Sequence, residues 1–272
     1  MKNILIVIPA RYGSKRLPAK PLIKIAGKEM LKRVWEIALL AVQKHENYNI
    51  QVIVATDDNR IGDFCQQNKI NYLMTSVNCN SGTERTIEVI SQLEIKPDFI
   101  INLQGDNPLC PPWFVEEMIK EFYKNPQIEM ISPFVNLTWL ELDELRKVKD
   151  KTPFSGTTVI LNESNEAIWF SKQILPAIRN ENKLRTESHL SPVLRHIGLY
   201  GYSHEALNKI SKLSKSKYED LEGLEQLSIL MAGIKIKMIL VDYKGREGMS
   251  GIDEQSDIEI AERILNEFEE FK

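Results

Sequence analysis

Five consecutive apolar residues at 4–8, closed by Pro9, predict a short strand buried on both faces, as in parallel sheets. Apolar positions then recur at helical spacing over 30–43, where Leu31, Val34, Ile37, Ala38 and Ala41 share one face. The run 51–56 predicts a second strand, followed by the polar turn Asp57-Asp58-Asn59 and a helix carrying Ile61 and Phe64. A short strand over 71–75, a helix over 83–93 and a buried strand over 99–103 complete this half. Strand and helix alternate throughout, so the expected architecture is α/β with a mostly parallel, doubly wound sheet.

Beyond Pro133 the pattern changes. Strands are expected over 157–161, 167–170 and 197–202, and the polar stretch 180–191, which has no period, reads as a loop. A long helix over 221–231, a strand over 235–241 and a final helix over 256–268 follow. With no internal repeat and no low-complexity linker, the expectation is a single domain over 1–272 with a small inserted lobe at about 133–200.

Composition adds exclusions. The 272 residues are 43% hydrophobic and 27% charged, ordinary globular usage that rules out disorder and coiled coil. The net charge of −3 offers no basic excess for nucleic acid, so an anionic ligand must meet locally placed cations. Lys209, Lys212, Lys215 and Lys217 have no interleaved aromatics and read as a solvated helix face. His45, His189, His196 and His204 lack zinc spacing, and Cys65, Cys79 and Cys110 are odd in number, which suits a reducing compartment. The run 4–8 is too short for a signal or a membrane span, so a soluble cytoplasmic protein without membrane insertion is expected.

Candidate chemistry concentrates where strands end. Directly after the first strand come Pro9, Ala10, Arg11, Tyr12, Gly13, Ser14, Lys15, Arg16, Leu17, Pro18, Ala19, Lys20 and Pro21. Arg11, Lys15, Arg16 and Lys20 are cations, and Gly13-Ser14 is a small-residue turn that supplies backbone N–H groups. A triphosphate needs such a set, because several donors must meet its charge and the backbone must come close. A merely solvated basic loop would not require the stiffening of Pro9, Pro18 and Pro21. The spacing is neither a Walker loop nor a dinucleotide turn. Asp106 follows the strand 99–103 beside Gly105, and Asp253 lies in Ser250-Gly251-Ile252-Asp253 near the end of the chain. If the fold brings these carboxylates together they can share hydrated magnesium on phosphate oxygens, although Gly-Asp pairs also serve ordinary turns.

The loop after the first strand, Ser81-Gly82-Thr83-Glu84-Arg85, Gln104-Gly105-Asp106 and Phe170-Ser171 resemble the 3-deoxy-manno-octulosonate (Kdo) cytidylyltransferase family. So do the stretch from Arg195 to Tyr202 and Glu222-Gly223-Leu224-Glu225-Gln226-Leu227, so that nearly the whole chain is covered in the family's order. The resemblance implies a nucleotide-diphospho-sugar transferase fold, a homodimer, and Mg2+-dependent joining of CTP to a 3-deoxy-ulosonic acid with release of pyrophosphate. It places Arg11, Arg16 and Lys20 on the phosphates, and Pro9, Ala10, Thr75, Ser81 and Gly82 around the cytidine. Asp106 and Asp253 would hold the metal, and Gln104, Lys172, His196, Tyr200, Glu222 and Gln226 would face the sugar. Lys20, Arg11, Arg16 and Asp106 form the expected catalytic group.

Several positions depart from the family pattern. Ala19 replaces a glycine, Asn107 a glutamate, and Asn78-Cys79 an Asp-His pair. Thr158 stands for a lysine and Lys172 for an arginine, while the terminal motif reads Ile252-Asp253-Glu254-Gln255. The departures leave open an 8-amino-Kdo or sialic-type acceptor, and a catalytically silent nucleotide-binding relative.

Overall fold

The computed structural model describes residues 2–14, 16–43, 48–249, 251–268 and 270–271. Lys15, His45 and Ser250, singled out in the sequence, lie outside the described residues. In chain order the elements are β1 (Asn3–Ala10), β2 (Lys24–Ile25), β3 (Lys28–Glu29), α1 (Met30–Gln43), β4 (Asn49–Thr56), α2 (Asn59–Gln67), β5 (Tyr72–Met74), α3 (Gly82–Ser91), β6 (Phe99–Asn102) and α4 (Pro112–Lys124). Next come β7 (Met130–Thr138), α5 (Trp139–Lys151), β8 (Thr158–Leu161), β9 (Ala167–Ser171), α6 (Glu181–Glu187), β10 (Leu190–His196), β11 (Tyr200–Ser203) and α7 (His204–Ile210). The chain ends with α8 (Lys217–Glu222), α9 (Glu225–Met231), β12 (Ile236–Leu240) and α10 (Gln255–Glu267).

Two compact units result. One comprises Met1–Pro126, Leu199–Ser211 and Tyr243–Lys272, and the other Gln127–Gly198 and Lys212–Asp242. In the first, β5, β4, β1 and β6 lie side by side and parallel, and β11 adds antiparallel to β6. Residues 4–8 are fully buried, as their unbroken apolar run requires. The parallel strands all end at one edge, at Ala10, Thr56, Met74 and Asn102, which is where open α/β sheets bind ligands. The expected mostly parallel α/β sheet is therefore present.

In the second unit β7 pairs parallel with β12 along 130–134 and antiparallel with β10 along 134–138, and β8 and β9 continue antiparallel from β10. Here the sequence reading needs three corrections. The stretch 180–191 is not a loop but α6 and the start of β10; α6 buries no residue and is held instead by ion pairs from Glu181 to Arg146 (2.7 Å) and from Arg185 to Asp143 (2.6 Å), so it leaves no hydrophobic period. The strand expected over 197–202 begins only at Tyr200. The helix expected over 221–231 is two short helices, because Gly223 adopts φ +66° and its N–H caps α8 on the Glu219 carbonyl at 2.7 Å.

Candidate active site

The loop after β1 folds back on itself before it reaches Lys20. The Tyr12 carbonyl accepts from the N–H groups of Ser14 (2.9 Å) and Ala19 (3.2 Å), and the Ser14 hydroxyl accepts from the Leu17 N–H (3.3 Å). Leu17 anchors the loop in an apolar cluster with Ile25, Met30, Leu109, Ile252, Ile258, Ala261 and Ile264. One patch of core therefore fixes both the cation loop and the segment that carries Asp253.

The two carboxylates suspected from the sequence do meet. Lys20 Nζ donates to Asp106 Oδ2 at 2.7 Å, to Asp253 Oδ1 at 3.1 Å and to the Ile252 carbonyl at 2.7 Å. Arg16 reaches Asp253 Oδ2 at 3.1 Å and Glu254 at 3.7 Å. Glycines make this approach possible: a Cβ on Gly105 would stand 2.3 Å from the Pro9 carbonyl oxygen, and one on Gly251 would stand 2.9 Å from Asp106 Oδ1. The Asp106 carbonyl accepts from the Ile252 N–H at 2.8 Å, which ties the two segments through the backbone. Two hard carboxylates already converging on one cation fit Mg2+, which takes one or two carboxylates and completes its shell with water and phosphate. Among the described residues no cluster of three or more His, Cys, Asp or Glu forms an all-protein cage.

Arg16, Lys20, Asp106 and Asp253 line a cleft of about 450 Å³ at the sheet edge, together with Pro9, Ala10, Arg11, Ser81, Gly82 and Gln104. Ser81 caps α3 by accepting from the Glu84 N–H at 3.1 Å, and Ser81 and Gly82 place the start of α3 on the cleft wall. Thr75 is not on the wall but behind it. Its hydroxyl donates to the Thr56 carbonyl (3.1 Å) and accepts from Arg85, whose other guanidinium nitrogen meets Asp57 at 2.9 Å. Arg85 is a fully buried cation on the cleft wall, and sequence reasoning gave it no role. Its partners come from the ends of β4 and β5, so the Ser-Gly-Thr-Glu-Arg turn was the only available signal. Gln104 donates to Asn102 Oδ1 at 3.2 Å, while Asn102 Nδ2 is buried without a partner.

Tyr200, like Gln104, belongs to the first unit, whereas Lys172, His196, Glu222 and Gln226 belong to the second. Glu222 accepts from the Ser171 hydroxyl (2.9 Å) and from the Lys172 N–H (2.6 Å). Lys149 Nζ donates to the carbonyls of Lys172 (2.5 Å), Ser155 (2.5 Å) and Gly156 (3.2 Å), a half-buried role that the sequence reading did not assign. Burial holds Lys172 below the usual lysine range, and burial plus Lys172 and Arg195 do the same to Lys149. His196 bonds Ser132 Oγ at 2.8 Å and is pushed down to about 3 by burial and then by Lys172, so it is neutral at pH 7. Gln226 is buried. Thr158 is also buried, donating to the Gln173 carbonyl at 2.7 Å and accepting from the Leu175 N–H at 3.2 Å. Burial raises the thiols of Cys65 and Cys110 to about 12 and that of Cys79 to about 11, which removes them as nucleophiles.

The cytidylyltransferase family is matched over residues 5–236. The 3-deoxy-manno-octulosonate cytidylyltransferase of Maricaulis maris is 38% identical over 263 residues, 97% of each chain. The 8-amino-3,8-dideoxy-manno-octulosonate cytidylyltransferase of Shewanella sediminis is 37% identical over 266 residues, 97% of this chain and 98% of that one. The solved structure of CMP:2-keto-3-deoxy-manno-octonic acid synthetase complexed with CTP aligns with a TM-score of 0.82 at 32% identity, over 98% of this chain and 99% of that one. Identity of this order along nearly the full length, on the same fold, means that the chain belongs to the 3-deoxy-manno-octulosonate cytidylyltransferase family.

Proposed function

We propose that the protein transfers the cytidylyl group of CTP to the anomeric hydroxyl of a 3-deoxy-ulosonic acid, Kdo or its 8-amino analogue, and releases pyrophosphate. The observation that carries this reading is the meeting of Lys20 with Asp106 and Asp253 on the wall of one cleft at the carboxyl edge of the parallel sheet. In the reaction the acceptor oxygen forms a bond to the α-phosphorus and gives up its proton. The bond to the bridging oxygen breaks, and the pyrophosphate leaves with the electron pair. Phosphoryl transfer of this kind is accelerated by positioning and charge neutralisation and needs no covalent nucleophile.

Arg11, Arg16 and Lys20 supply fixed positive charge to the triphosphate, and the first turn of α3 at Ser81 and Gly82 offers backbone donors to the base. Asp106 and Asp253 are the residues that would hold Mg2+, which supplies Lewis-acid neutralisation at the phosphate oxygens when bound. The family resemblance assigns to the acceptor Gln104 and Tyr200 in the first unit, and Lys172, His196, Glu222 and Gln226 in the second. Within that set Lys172 contributes a charge suited to the sugar carboxylate, and neutral His196 and the amides contribute hydroxyl contacts. None of the described helices is long and apolar enough to cross a membrane. A homodimer and a cytoplasmic location complete the reading. A second acceptor reading, 8-amino-Kdo in place of Kdo, draws support from the 37% identity to the Shewanella relative, beside 38% to the Maricaulis one. Pyrophosphate release from CTP and Mg2+ with Kdo, 8-amino-Kdo and a sialic acid, each alone, tests the proposal; no release with any of the three would overturn it.

A further inference from the structure

Lys20 has three N–H donors, and all three are taken, by Asp106, Asp253 and the Ile252 carbonyl. Arg16 holds the other oxygen of Asp253. Three of the four carboxylate oxygens that would serve the metal are thus engaged by the two cations that would serve the phosphates. The acidic side cannot easily yield. Ile252 is fully buried in the apolar cluster, its N–H is tied to the Asp106 carbonyl, and the Asp253 N–H is tied to Asp257 at 2.7 Å. The cations have the longer reach: the Arg16 side chain is 59% exposed, and Lys20, 14% exposed, is a long, unbranched side chain at the start of a single 3-10 turn.

We propose that Lys20 and Arg16 are resident counter-ions of Asp106 and Asp253, so that metal and nucleotide enter this site by exchanging partners and each strengthens the binding of the other. The inference rests on the nucleotidyl-transfer reading above and adds a coupling to it. A divalent ion arriving alone meets carboxylates that are already neutralised, and it must displace an ammonium or sit beside it. A triphosphate arriving alone draws the cations away and leaves two bare carboxylates close to its own charge. When both arrive, carboxylates pass to metal and cations to phosphate, and no charge is left unpaired. Coupling of this kind is reciprocal by thermodynamic necessity.

The test is Mn2+ binding to the nucleotide-free full-length protein, read by electron paramagnetic resonance of the free ion. Lys20→Met is expected to bind Mn2+ at least about tenfold more tightly than the wild type, within the roughly 5–150-fold range of coupled sites. Arg16→Gln, at an exposed position that spares the fold, is expected to gain about threefold or more on the same scale. Adding Asp106→Asn to Lys20→Met should abolish the gain, which separates this site from adventitious binding. Unchanged or weaker Mn2+ binding in Lys20→Met overturns the proposal. If circular dichroism shows that variant to be unfolded, unchanged binding in Arg16→Gln overturns it instead. Tighter Mn2+ binding in the variants, together with a wild type that releases no pyrophosphate from CTP with any sugar acid, would reject the reaction and leave the coupling standing.

Discussion

Each carboxylate of the proposed metal pair, Asp106 and Asp253, has an amide isostere that keeps its shape and removes its charge. Asp106→Asn and Asp253→Asn should each lower kcat by about two to four powers of ten, the scale of several kcal/mol of lost charge stabilisation in the transition state. Thermal unfolding should stay close to wild type, because both side chains border the open cleft rather than the core. Near-normal turnover in either variant would remove that residue from the site. His196 allows a prediction of different form. Burial holds its folded-state pKa near 3, below the ordinary 6.5, so the unfolded chain takes up the proton first. Its contribution is therefore fully present above pH 6.5 and is lost as pH falls from 6.5 toward 3, with a slope of up to about 1.4 kcal/mol per pH unit. Urea midpoints at pH 7.5 and 5.5 should fall more steeply for wild type than for His196→Gln, and parallel slopes would contradict the neutral, buried state. At this scale the charged loop and both aspartates were legible in the sequence. Arg85, fully buried, and Lys149, half-buried, were not, since such a cation is recognisable only from partners that the fold brings to it.

At the scale of elements, legibility followed burial. β1, α1, β4 and β6 are held by apolar contact and announced themselves as runs or periods, whereas α6 is held by ion pairs and read as loop. The break at Gly223 needed a positive φ that no hydrophobic pattern encodes. Ala19 poses the same question at the site. It adopts φ +58° immediately before Lys20, where the family pattern has glycine. A left-handed alanine costs about 1–2 kcal/mol, and replacing it with glycine returns about 0.5–1 kcal/mol of chain entropy to the unfolded state. Ala19→Gly should therefore raise stability by a few tenths to about 1 kcal/mol, visible as a higher urea midpoint with an unchanged m-value. Gly105→Ala should do the reverse. Its Cβ would fall 2.3 Å from the Pro9 carbonyl oxygen, backbone against backbone, so β1 and the Asp106 turn must separate. Loss of CTP binding is expected there, and wild-type CTP affinity in the Gly105→Ala variant would show that the close approach is dispensable.

At the scale of the whole molecule the open question is which acid the enzyme activates, and the structure narrows where the answer lies. Thr158 is occupied by hydrogen bonds to its own unit's backbone. Cys79 is buried and donates to Glu88 at 3.0 Å, Asn107 is buried, and the Asn78 N–H bonds the Ser76 hydroxyl at 3.1 Å. The side chains of Thr158 and Cys79 are thus absorbed in local structure, whereas Asn78 is exposed and Asn107 Oδ1 is buried without a partner. Lys172 is different: its ammonium is half-buried, and its charge is felt by both Lys149 and His196. Lysine presents a point charge where an arginine would grip a carboxylate with two parallel hydrogen bonds, so in the role proposed for Lys172 the exchange would alter how an acidic sugar is held. One charge-assisted hydrogen bond is worth about 1.5–3 kcal/mol, or roughly one to two powers of ten in kcat/KM. Lys172→Arg should accordingly change kcat/KM for the acceptor by about tenfold or more and alter the ratio between Kdo and 8-amino-Kdo, while KM for CTP stays within about twofold. Steady-state kinetics with each acceptor at saturating CTP and Mg2+ decide the matter. If the two acceptors keep their wild-type ratio in the variant, Lys172 does not select the sugar.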